Sequence, residues 1–287
     1  MSIPFSLELY PPTSPQSARQ LERALPRLAA LGPEYFSVTY GAGGCTRERT
    51  LDLVGQLHEA GHTVAPHLSG VGAERAEVAE LCAHYRRLGV RRLFALRGDT
   101  PSGMGSRGDF AYASDLVRFI REHSGDDFRI EVAAYPEVHP QAKSPAADLA
   151  ALRVKQEAGA NAAVTQYFFN TDAFLYLRDS CHAAGITLPL VPGVLPLTRF
   201  RSTAQRAEAR GIEMPRWIYR KMESLADDTA AVRAFGLDVT ARQCERLIAE
   251  GVPALHFFSL NQIDAIEALH ARLGLAGSAG TTAAPPN

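Results

Sequence analysis

Short apolar runs alternate along the chain with longer segments in which apolar residues recur every three or four positions. The runs Phe5–Leu9, Tyr35–Tyr40, Thr63–His67, Arg92–Arg97, Arg129–Ala134, Ala162–Phe168, Leu188–Val191 and Ala254–Phe258 read as strands. The amphipathic segments between them predict helices over Ser14–Leu31, Thr46–Ala60, Ala73–Leu88, Tyr112–His123, Ser144–Ala158, Thr171–Ala184, Arg199–Arg210 and Ala226–Glu250. A short extra helix is expected within Met214–Asp228, and a last one over Gln262–Leu273. Gly61, Gly89, Gly159, Gly185 and Gly251 each follow a helical pattern and lead into a strand, as C-terminal glycines do. Strand–helix repeats of this kind make a parallel sheet, and this many of them predict one closed (β/α)₈ barrel, a TIM barrel, over residues 1–275.

Composition agrees with a single large core: 46% of the 287 residues are hydrophobic. Residues 276–287 are small, polar and proline-ended, so they are expected to form a disordered tail. The net charge is −1 with both signs interspersed, which argues against a nucleic-acid groove or a membrane-surface patch. Cys45, Cys82, Cys181 and Cys244 are too scattered for a zinc ribbon, a redox dithiol or a disulfide framework. No apolar run approaches the roughly 20 residues that cross a bilayer, and the first residues do not read as a signal peptide. A cytoplasmic protein is the expectation.

Barrel enzymes place their chemistry on the loops after the strands, and polar residues gather there in this sequence. Along the first strand, alternation sets Phe5, Leu7 and Leu9 on one face and Ser6, Glu8 and Tyr10 on the other. Inside a barrel Glu8 would be desolvated and its pKa raised, as a general acid needs; pairing with a lumen cation is the alternative. Arg97-Gly98-Asp99 puts a charge pair beside a glycine that lets a ligand approach the backbone, or forms a strand-end salt bridge. Gly41–Gly44 could offer backbone N–H groups to a phosphate, or make a tight turn. His67 and His139 stand at neighbouring strand ends, where either could bond a phosphate or a cofactor ring.

Two motif matches carry less. Gly103–Gly108 matches G-x-G-x-x-G but lies within a loop rather than between a strand and a helix. His58-Glu59-Ala60-Gly61-His62 matches H-E-x-x-H, yet the helix is expected to end at Gly61, at the opposite end of the barrel from the other polar residues. Histidines at a helix C-terminus suit the negative end of its dipole, and no metal site is expected.

Taken together, the strand-end strings resemble one family. They are Leu7–Pro12, Ser37–Ala42, Ala65–Leu68, Ala95–Asp99, Tyr112–Leu116, Ala133–Pro140, Gly159–Asn161 with Thr165–Phe169, Pro192–Pro196 and His256–Asn261. In this order, over essentially the whole chain up to the tail, they look like methylenetetrahydrofolate reductase, with Tyr135-Pro136-Glu137-Val138-His139-Pro140 the most specific.

The resemblance implies a barrel that binds FAD noncovalently. NAD(P)H reduces the flavin and leaves, and methylenetetrahydrofolate then takes the hydride to give 5-methyltetrahydrofolate, a step of one-carbon metabolism that feeds methionine synthesis. It implies that Glu8 is the acid that protonates the folate N10 and that Asp99 stabilises developing positive charge. It assigns FAD contacts to Thr39, Tyr40, Ala42, His67, Arg97, Gly98, Asp99, Ala113, Tyr135, His139, Ala142, Asp148 and Lys155, with Lys155 facing the pyrophosphate. Gln166 matches a pterin-binding glutamine and Phe200 an aromatic near the folate or nicotinamide. Gln262 stands on the substrate side, where relatives often have Arg. Ala151 and Val154 stand where bacterial relatives often carry Asn and Arg toward the FAD. NADH as reductant and a homo-oligomer follow from the same resemblance, and the regulatory C-terminal domain of eukaryotic members is not expected.

Overall fold

Eight parallel strands pair in chain order and the last closes onto the first. They are β1 (Phe5–Leu9), β2 (Phe36–Val38), β3 (Val64–Ser69), β4 (Arg92–Leu96), β5 (Arg129–Ala134), β6 (Ala162–Tyr167), β7 (Leu190–Val194) and β8 (Leu255–Phe258). The helices are α1 (Pro15–Ala30), α2 (Arg47–Glu59), α3 (Arg75–Leu88), α4 (Ala113–Ser124), α5 (Pro145–Glu157), α6 (Thr171–Ala183), α7 (Phe200–Ala209), α8 (Arg216–Ser224), α9 (Thr229–Ala249) and α10 (Ile263–Leu273). This computed structural model describes residues 3–40, 47–98, 108–225, 227–275 and 277. The expected (β/α)₈ barrel is therefore the fold. The expected tail, 276–287, lies outside the described residues apart from Gly277. No described helix is long and apolar enough to cross a membrane.

Local chemistry explains the boundaries. Ser14, Ser144, Asn170 and Asp228 each accept a backbone N–H of the first turn of α1, α5, α6 and α9. The five glycines read as helix terminators all have positive φ. At β1, Phe5 and Leu7 pair with Leu255 and Phe257 on one side, and Leu7 with Phe36 on the other. Phe5, Leu7 and Leu9 are fully buried in the layer between strands and helices, so the alternation in β1 is as expected.

Strand bounds differ from the sequence reading most at three places: β2 is Phe36–Val38 rather than Tyr35–Tyr40, and β3 and β7 are displaced. β3 continues past His67 to Ser69. β7 lies at Leu190–Val194 rather than at Leu188–Val191, and runs through Pro192 and Gly193. A proline inside a paired strand removes a ladder donor; here the β6–β7 register shifts between Val164 and Tyr167. The Gly193 N–H then turns to the Thr165 hydroxyl at 2.9 Å. A Cβ on Gly193 would stand 2.1 Å from the Thr165 carbonyl oxygen, so only glycine permits this contact.

The apolar residues form two cores. The larger joins the strands to the surrounding helices. The second gathers Tyr167, Phe169, Leu195, Phe200, Ile218 and Met222 beneath α7 and α8. The loop after β7 is fixed to α9 there: the Leu197 N–H donates to Thr240 Oγ1 at 3.1 Å. At the bottom of the barrel, Glu131 accepts from Tyr35 Oη at 2.6 Å and from Arg92 at 3.0 Å, and Arg92 also reaches Glu34 at 2.7 Å. These polar groups near the starts of the strands are thus paired with one another.

Candidate active site

Glu8 points into the upper lumen and is 5% exposed. Burial pushes its carboxyl up to about 7, against the opposing pull of the Tyr10 hydroxyl that bonds to it. No lumen Arg or Lys pairs with it among the described residues, so the salt-bridge alternative does not hold. Below it sits His67, Nε2 3.7 Å from the Glu8 carboxylate, followed by His256, whose Nδ1 is 2.7 Å from Ser6 Oγ. Burial first, and for His67 the neighbouring His256 as well, pulls both imidazoles down to about 3. They are neutral at neutral pH, and they add no positive charge that would ionise Glu8.

The chain after β8 holds this corner rigidly. Ser259 Oγ donates to the Glu8 carbonyl at 2.5 Å. Asn261 brackets Tyr10, accepting its N–H at 3.0 Å and donating to its carbonyl at 2.9 Å. To do so, Leu260 and Asn261 both adopt left-handed φ, an arrangement that costs backbone energy and recurs at functional sites.

Across the rim, at the ends of β4 and β5, the charge is positive. Lys155 Nζ donates to the Ala133 carbonyl at 2.7 Å. Burial draws its ammonium down to about 8; Asp148 opposes that shift and Arg97 adds to it. Asp148 Oδ2 also accepts the His139 N–H at 2.9 Å, and the His139 ring meets Tyr135 edge-on at 4.4 Å. Arg97 has no carboxylate partner among the described residues. Two cations with one carboxylate, one of them desolvated, fit an anionic group such as a diphosphate. Thr39 adds a buried hydroxyl with no partner among the described residues.

Gly98 also meets a need within the protein. Its φ is 85°, and a Cβ there would lie 2.0 Å from Ser69 Oγ and 2.6 Å from Val71 Cγ1. The glycine lets β3 and β4 approach each other, so the need for it arises within the protein. Ala113 opens α4 and is buried; Ala142 closes a turn on the His139 carbonyl at 2.8 Å. Ala151 and Val154 face outward from α5, with Val154 39% exposed.

On the remaining side, Gln166 Oε1 accepts the N–H of Tyr167 at 3.0 Å, leaving its amide nitrogen for a ligand. Gln262 Oε1 accepts from Thr198 Oγ1 at 3.1 Å and precedes α10. Phe200 is buried at the start of α7, edge-on to Tyr219 at 5.3 Å, and belongs to the second core. A cavity of about 1080 Å³ opens beside Phe200 between α7, α8 and α9, reaching Thr198, Met214 and Val232. All its lining residues fall between 198 and 232, so Glu8 is not among them.

Several expected features lie outside the described residues: Asp99, Ala42 with the rest of the glycine run at 41–44, and 103–107 of the G-x-G-x-x-G match. The H-E-x-x-H residues are described and dispersed. α2 ends at Glu59, His62 lies beyond it with its ring edge-on to Phe36 at 5.3 Å, and His58 faces Gly89. His256, read as a strand-end residue, is fully buried in the lumen. Sequence reasoning gave no role to Tyr10 as the partner of Glu8, although a spacing of two on one strand face carries that signal. It also passed over Glu137, whose carboxyl burial pushes up to about 7, and the arginines of α7.

The fold and site define a parallel (β/α)₈ barrel with a protonatable carboxyl at the catalytic rim and a cationic recess across from it. The family model for methylenetetrahydrofolate reductase matches residues 1–274, and the chain belongs to that family. It is 38% identical over 274 residues to 5,10-methylenetetrahydrofolate reductase of Escherichia coli, covering 95% of this chain and 91% of that protein. It is 33% identical over 271 residues to methylenetetrahydrofolate reductase (NADH) 1 of Arabidopsis thaliana, covering 90% of this chain and 46% of that protein. Among solved structures, a Clostridium thermocellum protein that binds two copies of 5-methyl-5,6,7,8-tetrahydrofolic acid superposes with a TM-score of 0.65. The alignment covers 95% of this chain and 94% of that one at 15% identity, a likeness of fold.

Proposed function

We propose that this chain reduces 5,10-methylenetetrahydrofolate to 5-methyltetrahydrofolate, with FAD as its cofactor, NADH as the reductant, and the two substrates using the same rim in turn. The observation that carries the reading is Glu8: a carboxyl lifted to about 7, hydrogen-bonded by Tyr10, at the rim of a barrel of this family. The relatives' names supply the substrate and the Arabidopsis relative's name the reductant.

The residues do the following. Glu8, protonated near neutral pH, donates its proton to N10 of the folate, opening the five-membered ring and leaving an iminium at the one-carbon unit. Tyr10 holds the carboxyl in place and supports the carboxylate that remains. Asp99, as a second carboxylate, opposes the iminium's positive charge. Gln166 orients the pterin through its free amide. Arg97 and Lys155 would hold the diphosphate of FAD, with Tyr135 and His139 lining the same recess. FAD, when bound, would supply the two-electron store that hydride transfer from NADH to the folate requires. The neutral His67 and His256 keep the space beneath Glu8 free of fixed charge.

The visible spectrum of the purified protein tests this. We expect flavin absorbance that bleaches with NADH and returns with methylenetetrahydrofolate. A folded protein with no bound flavin and no affinity for added FAD would sink the proposal.

A further inference from the structure

The arginines of α7 leave a charge unexplained. Residues 199–210 contain four arginines, Arg199, Arg201, Arg206 and Arg210, against one glutamate, Glu208. Arg206 and Arg210 are one helical turn apart, a spacing at which like charges repel by a few tenths of a kcal/mol. Neither forms an ion pair among the described residues: Arg206 reaches Thr203 Oγ1 at 3.5 Å, and Arg210 reaches the Arg206 carbonyl at 3.5 Å.

The end of α7 is anchored at the rim. The Glu213 N–H donates to Glu137 Oε2 at 3.0 Å, Asn170 donates to Glu213 at 3.1 Å, and Gly211 packs on Pro140. This places the loops after β5 and β6 against it. On the barrel side both guanidinium groups act electrostatically on Tyr10, the partner of Glu8, and on Tyr167. Tyr167 Oη is buried, the Arg210 guanidinium comes close enough to act on it as a hydrogen-bond donor, and its ring meets Phe258 edge-on at 5.9 Å. An aromatic wall thus runs from the reacting corner outward to two arginines with no anionic partner among the described residues.

We propose that Arg206 and Arg210 form an anion clamp for the carboxylates at the tail of the folate substrate. This rests on the folate-reductase reading of the site. A pterin head at Glu8 carries an aromatic spacer and then glutamyl carboxylates. The spacer passes Tyr10, Tyr167 and Phe258, and the carboxylates reach α7. Arginine suits this task because its fork pairs with a carboxylate through two parallel hydrogen bonds. Gln262, bonded to Thr198 and uncharged, cannot supply a charge. The diphosphate of a nucleotide is the other anion that could come here, and Arg97 and Lys155 already offer it a place on the far side.

The test is binding to the FAD-loaded protein, measured by calorimetry with two ligands: 5-methyltetrahydrofolate, and a 5-methylated tetrahydropterin lacking the tail. We expect the wild type to favour the tailed ligand. In R206Q/R210Q the affinity for the tailed ligand falls about 10- to 100-fold, and that for the tail-less pterin stays within twofold. R206K/R210K recovers part of the loss. Steady-state kinetics give the parallel result, a raised KM for methylenetetrahydrofolate with kcat little altered. Equal loss for both ligands, or none for either, overturns the clamp while leaving the folate reading intact. So does a raised KM for NADH with folate affinity unchanged, which assigns the arginines to the nucleotide. Wild-type protein that binds neither ligand overturns both readings.

Discussion

Glu8 and His67 face each other across 3.7 Å inside the barrel, and the histidine is held neutral by burial. The separation is too long for a hydrogen bond, and a neutral ring cannot compensate a carboxylate. Glu8 therefore keeps its proton up to about pH 7. Glu8→Gln preserves the shape and removes the proton to be given. We expect flavin bleaching by NADH to persist and folate reduction to drop by about 10²- to 10⁴-fold, the usual contribution of a general acid. Stopped-flow measurement of the two half-reactions separates them, and a Glu8→Gln protein that reduces the folate normally removes Glu8 from the mechanism.

Tyr10 sets where that acid works. Its hydroxyl bonds to the carboxylate and so lowers the Glu8 pKa, opposing burial. The folate half-reaction of the wild type should decline above about pH 7, approaching tenfold per pH unit as the acid form is lost. Tyr10→Phe removes the lowering bond, so the decline should begin at higher pH, by about one unit. A shift to lower pH would contradict this account of the pair.

The fold was legible because each of its determinants is local. Apolar period, capping side chains and terminal glycines agree from Phe5 to Leu273. β7 was placed two residues early and ended at Val191; a register shift and a bond to Thr165 Oγ1 carry the strand through Pro192 and Gly193, and both come from a neighbour outside the local window. Glu8 was legible because period-two alternation settles which way it points. The need for glycine at position 98 was not legible, because it comes from Ser69 at the end of β3 and Val71 just beyond it. The α7 arginines were passed over for the same kind of reason: their spacing is visible in the chain, but the lack of a counter-charge is visible only in three dimensions.

Lys155 is the most desolvated cation of the rim, with Asp148 as its opposing charge. Lys155→Met keeps the length of the side chain and discards the charge. One charge-assisted contact contributes about 1.5–3 kcal/mol, so the affinity for FAD should weaken about 10- to 100-fold while the barrel remains folded. Fluorescence titration of deflavinated protein with FAD reads this directly, and unchanged affinity would remove Lys155 from the cofactor site.

Gly236 sits within α9 where the helix meets the loop after β7. A Cβ there would stand 1.7 Å from the Leu197 carbonyl oxygen and 3.1 Å from Met222 Cε. Backbone cannot yield as a side chain can. The overpacking in Gly236→Ala, about 1–3 kcal/mol, should therefore exceed the helix-propensity gain of at most about 1 kcal/mol. Gly55 in α2 has nothing within 4 Å of the same position, so Gly55→Ala should raise the melting temperature where Gly236→Ala lowers it. Thermal unfolding of the two variants side by side checks the pair, and equal shifts would show that contact with Leu197 is not what selects glycine.

His256 ties the stability of the lumen to pH. Burial lowers its pKa from 6.5 in the unfolded chain to about 3 in the fold. A depressed pKa on a base means that the unfolded state takes up a proton the native state refuses. The stability this contributes is present above about pH 6.5 and is lost as pH falls toward 3, at about 1.4 kcal/mol per pH unit. His67 acts in the same direction, while Glu8, with its raised pKa, acts oppositely between about pH 4.5 and 7. Comparing the wild type with a His256→Gln variant isolates one group from this sum. At pH 7.5 the variant should be the less stable, having lost the imidazole bond to Ser6. Its deficit should shrink as the pH is lowered, because glutamine has no proton to gain on unfolding. Urea unfolding of both proteins at pH 7.5 and pH 5 measures the gap, and a gap of constant size would mean that His256 is not buried as the neutral base.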